Sequence, residues 1–124
     1  MKTFFYTLIL VFGLGSLTYA QENNGIAVGP TKSEFAKGKE NGTFKFFLPE
    51  GVVKEDVVHS AKYYTHYFTV DYDASTRAAK INMVTNDEKS RNVIVRFLIS
   101  NNVQFVNVEG TMVPTTDIFE KFLK

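Results

Sequence analysis

The side chains with the widest chemical range in this chain are its two histidines, His59 and His66. On one helix they would project from a similar face two turns apart. That is a rise of about 10 Å at ~1.5 Å per residue, too far for both to hold one ion. Asp71, Asp73, Asp87 and Glu88 offer hard-cation oxygens, but nothing in their order matches a calcium loop. Asp73 flanks a turn, and Asp87 and Glu88 suit the first turn of a helix, where the macrodipole favours anions. Ser60 follows His59 directly, so on a helix its hydroxyl points away from that ring, and no G-x-S-x-G elbow is present. A glycine-rich phosphate turn is also missing. The chain contains no cysteine, which removes thiolate catalysis, thiolate metal sites and disulfides together. The residues therefore assign no catalytic group, no metal ligand and no cofactor.

Aromatic side chains are the remaining candidates. Tyr63, Tyr64, Tyr67 and Phe68 cluster in sequence, and tyrosine joins a large apolar area to a polar tip suited to interfaces. With Tyr64 and Phe68 packed inward, Tyr63 and Tyr67 are left for a partner. Phe47 on a strand, and Phe119 and Phe122 on a terminal amphipathic stripe with Ile118, complete the expected interaction surface.

These residues must be positioned by elements that the hydrophobic pattern outlines. Thr43 to Leu48 alternates, with Phe44, Phe46 and Leu48 on one face and Thr43, Lys45 and Phe47 on the other. After Pro49-Glu50-Gly51, Val53, Val57, Ala61 and Tyr64 repeat at helical spacing. Phe68 to Asp73 and Ala78 to Val84 alternate again around Ala74-Ser75-Thr76-Arg77, a hairpin. Thr85-Asn86-Asp87-Glu88 fits a capping box before a helix carrying Val93, Ile94, Phe97 and Leu98. Val103 to Val108 is a further strand, and Pro114-Thr115-Thr116 introduces the terminal helix. The predicted class is α+β, a ferredoxin-like βαββαβ domain over residues 43–110. Its four-stranded antiparallel sheet would carry two helices on one face, followed by a short C-terminal amphipathic helix over 111–124. Residues 21–42 are rich in Asn, Gly, Lys and Glu and read as a flexible linker, with room for a short strand at Ile26–Val28.

Over Thr43 to Val108 the chain resembles the heavy-metal-associated domain family. The likeness lies in element order, in the hairpin from Phe68 to Val84, and in the helix running through Val93, Phe97 and Leu98 into Val103. The resemblance implies the fold. That family holds a soft metal with a Cys-x-x-Cys pair after its first strand. Here the loop is Pro49-Glu50-Gly51-Val52-Val53-Lys54, so no ligand carries over and copper carriage by that route is excluded.

The first twenty residues read as a cleavable signal peptide. Lys2 forms a positive start, Phe4 to Leu14 is almost wholly apolar, and Thr18 and Ala20 stand at the −3 and −1 positions of a cut before Gln21. The apolar run is short for a membrane span of ~20 residues, and no span is expected after cleavage near Ala20-Gln21. The chain has 14 basic and 13 acidic side chains, so losing Lys2 leaves 13 of each. That balance argues against nucleic acid as a partner. An RNA-recognition reading of the same topology also lacks aromatics on Ala78–Val84. The expectation is a secreted or periplasmic, non-catalytic binding module with a protein partner in the cell envelope. The alternative is a periplasmic metal-handling protein using His59 with carboxylate ligands.

Overall fold

Short alternating runs build the sheet, and the segments between them build its cover. The computed structural model describes residues 25–124, so the leader expected over 1–20 and the start of the expected linker lie outside the described residues. In chain order the elements are β1 (Ile26–Val28), α1 (Lys32–Asn41), β2 (Thr43–Phe47), α2 (Lys54–Ala61) and a 3-10 turn (Lys62–Tyr64). They continue with β3 (Phe68–Asp73), β4 (Ala78–Met83), α3 (Glu88–Ser100), β5 (Phe105–Val108) and β6 (Thr111–Pro114). A 3-10 turn (Thr115–Asp117) and a π-helical turn (Phe119–Leu123) close the chain.

The four expected strands and the helices between them all form. The sheet is larger than the expected four-stranded antiparallel one, however. It is mixed and six-stranded, ordered β3-β4-β2-β1-β5-β6, with β1 parallel to β5 and the other neighbours antiparallel. β1 is inserted between β2 and β5, which the split arrangement would make neighbours. The β6 strand adds a new edge because Glu109 and Gly110, both at positive φ (53° and 90°), turn the chain back on β5.

The linker reading of residues 21–42 is corrected from Ile26 onward, since β1 and α1 both belong to the folded body. The helix starts at a capping box. Thr31 Oγ1 accepts from the Glu34 amide at 3.1 Å, and the Glu34 carboxylate accepts from the Thr31 amide at 2.9 Å. Glu109 reaches back from the β5–β6 turn to accept from the Lys32 amide at 2.7 Å. Gly42, at φ 80°, ends the helix in the left-handed conformation. A Cβ on Gly38 would come within 2.4 Å of the Phe44 ring, so glycine there lets α1 lie close on β2. The capping box expected at Thr85 is not used. Asp87 caps α3 instead, its Oδ1 accepting from the Ser90 amide at 2.8 Å.

One face of the sheet carries the core. Phe44 and Phe46 of β2, Phe68 of β3, Ile81 of β4, Val106 and Val108 of β5 are buried against Phe35, Val57, Ile94, Phe97 and Leu98 from the helices. The terminal segment belongs to that layer as well. Its helical part is shorter than expected because β6 takes residues 111–114. Ile118 and Leu123 are fully buried, and the Phe122 ring stacks on Phe35 at 4.8 Å. Arg91, itself buried, locks the turn by donating from Nε to the Leu123 carbonyl at 2.7 Å and from an Nη to Asn86 Oδ1 at 2.8 Å. Asn86 in turn donates to the Lys39 carbonyl at 2.8 Å, which ties in the end of α1.

Candidate functional site

Strand alternation sends every second side chain of this sheet away from the helices, and among the described residues no other element covers that face. The register fixes its rows. Met112, Asn107, Val28, Phe47, Ala78 and Asp73 lie side by side across β6, β5, β1, β2, β4 and β3. A second row joins Pro114, Phe105 and Ile26, and a third joins Lys45, Lys80 and Asp71. Val28 and Met112 are each 49% exposed, Phe105 41% and Phe47 37%. Four large apolar side chains therefore meet solvent within one half of the face, and the charges occupy the other half. Isolated exposed apolar residues are ordinary, whereas a contiguous group rimmed by polar ones marks a contact surface.

The charged half is organised by sequence-local bonds. Asp73 Oδ1 accepts from the Ser75 hydroxyl at 2.7 Å and from its amide at 3.0 Å. Those bonds, the hydroxyl first, hold the Asp73 carboxyl below its ordinary range. Lys45 and Lys80 face each other directly on the ladder, and the Lys45 ammonium lies 5.9 Å from the Phe47 ring centroid. Arg77, at φ 65°, donates through Nε to the Leu48 carbonyl at 3.1 Å and fastens the β3–β4 hairpin to the end of β2.

The five residues expected to form one surface are not brought together. Phe47 alone is on the open face. Tyr63 is exposed in the 3-10 turn after α2, with its ring edge-on to His59 at 5.6 Å. Tyr67, Phe119 and Phe122 are partly buried and pack against the core. Phe119 and Phe122 are therefore structural, because the terminal turn closes the helical layer rather than crossing the open face. Phe105 of β5 faces solvent. Val28, Phe105 and Met112 were not anticipated as surface residues. The strand at Ile26–Val28 hinted at Val28, but no local pattern states which side of a sheet is left bare.

His59 meets Tyr63, whose hydroxyl is 3.5 Å from Nε2. Among the described residues, no group of three or more His, Cys, Asp or Glu side chains could hold a metal ion. Also among the described residues, no helix is long and apolar enough to cross a membrane. No protein-family model, curated protein or solved structure matches the chain.

Proposed function

We propose that this protein is an exported, non-catalytic interaction module that receives a protein partner of the cell envelope on the open face of its sheet. The observation that carries this reading is the row Met112, Asn107, Val28 and Phe47 with Phe105 beside it, an apolar half-face that no helix covers among the described residues. Apolar burial supplies the drive for such a contact, at about 25 cal/mol per Å² removed from water. The flanking Lys45, Lys80, Asp71 and Asp73 supply the polar rim that discriminates partners. Export rests on the leader read over residues 1–20, and the partner's compartment follows from it.

The test is affinity capture from envelope extract with the mature protein as bait. A defined partner is expected with the wild type and with Tyr63→Ala, and is expected to be lost with Phe47→Asp combined with Met112→Asp. Circular dichroism would verify that the double variant is folded. Undiminished capture by a folded double variant would contradict the reading. The metal-handling alternative is settled in parallel, because retention of copper or zinc after desalting would favour it.

A further inference from the structure

The open face is interrupted beside Lys45. Along β2, the Met83 amide donates to the Gly42 carbonyl at 2.7 Å and the Leu48 amide to the Arg77 carbonyl at 2.8 Å. The continuous register between them makes Phe44 and Phe46 members of the same hydrogen-bonded series toward β4. Thr43, Lys45 and Phe47 therefore turn their backbone groups the other way, toward the line of β1. That strand meets β2 at a single pair, Val28 opposite Phe47. Continuing the register would set Pro30 opposite Lys45, but proline has no N–H to give the Lys45 carbonyl. At Gly29-Pro30 the chain leaves the sheet for α1. Thr43 is provided for, since its amide donates to Asn41 Oδ1 at 2.9 Å. On its β1 side, Lys45 has no strand opposite it among the described residues.

The space left there is a cavity of about 430 Å³, lined by Gly29, Pro30, Lys37, Asn41 and Lys45 among others. Its charge is also defined. Lys37 and Lys45 line it, and Lys80 is the cross-strand neighbour of Lys45. The acidic residue of the lining, Glu34, has its carboxylate engaged by the Thr31 amide. A basic slot beside a strand residue with unpaired backbone groups fits one kind of occupant, an extended polypeptide with acidic side chains.

Resting on the reading of the open face as a partner surface, we infer that the partner is held by strand addition. An extended, carboxylate-bearing segment of it occupies the line that β1 leaves after Val28 and hydrogen-bonds to the Lys45 backbone. On that edge Phe47 is already paired with Val28, and Thr43 is engaged by Asn41 and backed by Gly38 of α1, so among the described residues the pairing is confined to the N–H and C=O of Lys45. The adjoining apolar row then packs the rest of the partner.

The test titrates the isotope-labelled mature protein with three acetylated, amidated hexapeptides. The first alternates glutamate and valine, the second replaces glutamate by lysine, and the third is the acidic peptide N-methylated throughout. Hydrogen exchange of the Lys45 amide is expected to slow by about tenfold or more with the acidic peptide. The other two are expected to bind about tenfold or more weakly, and Lys37→Glu with Lys45→Glu to reverse the preference between acidic and lysine peptides. Equal binding of the N-methylated or lysine peptide would overturn the inference. So would acidic-peptide binding that shifts Val28, Phe47 and Met112 without protecting the Lys45 amide, and so would failure of the acidic peptide to bind. Protection that rises with protein concentration in the absence of peptide would make a second copy the occupant and overturn it too. None of these outcomes decides the face reading, which the Phe47→Asp and Met112→Asp capture tests on its own.

Discussion

Asp87 acts at the scale of one carboxylate. Its Oδ1 receives the Ser90 amide at 2.8 Å at the start of α3, and that backbone bond, with the Ser90 side chain next, holds its pKa below the usual 3.8. A carboxyl with a depressed folded pKa contributes stability that is present above its unfolded value. That contribution is lost as the pH falls through the lower folded value. Asn caps a helix about as well as Asp but does not titrate. Asp87→Asn is therefore expected to leave neutral stability little changed and to make the acid limb of the stability curve shallower. Urea midpoints measured from pH 7 down to pH 2 would reveal this, and an unaltered acid limb would show that the carboxylate charge contributes nothing.

At the scale of elements, α1 is the piece that local pattern concealed. Its segment, Lys32 to Asn41, has one large apolar residue, Phe35, and a glycine at its middle, so it lacks the repeating stripe by which helices are usually read. The start signal was present in Thr31-Lys32-Ser33-Glu34, a capping box of the kind read at Thr85. What decides the helix is tertiary. Phe35 is fully buried and contacts Phe44, Phe46 and Phe122 at ring distances of 6.3, 6.0 and 4.8 Å. Phe35→Ala is expected to cost about 3–5 kcal/mol in denaturant unfolding, a large share of a domain's ~5–15 kcal/mol. A cost near zero would mean that the segment is a tether after all. β6 was hidden for a related reason. Its turn is Glu109-Gly110 rather than Asn-Gly, and Val113 is its one buried residue. By contrast β2, β3, β4 and α3 were legible because each carries several core residues at its own period.

For the whole molecule, alternation tells which side chains share a face but not which face other elements will cover. Phe47 could be placed on a face opposite Phe44 and Phe46 from sequence alone. The apolar row it joins depends on β1 entering between β2 and β5 and on β6 adding an edge, neither of which is local. The terminal turn lies among the helices, with Phe122 on Phe35, and so leaves the opposite face uncovered by the described residues. Tyr63 belongs to neither arrangement, and this makes it a natural control. The most direct measurement is photo-cross-linking in producing cells, with a benzophenone side chain replacing Phe47, Phe105 or Tyr63 in turn. One discrete adduct of the same mass is expected from positions 47 and 105, and none from position 63. An adduct at position 63 alone, or none at 47 and 105, would contradict the account.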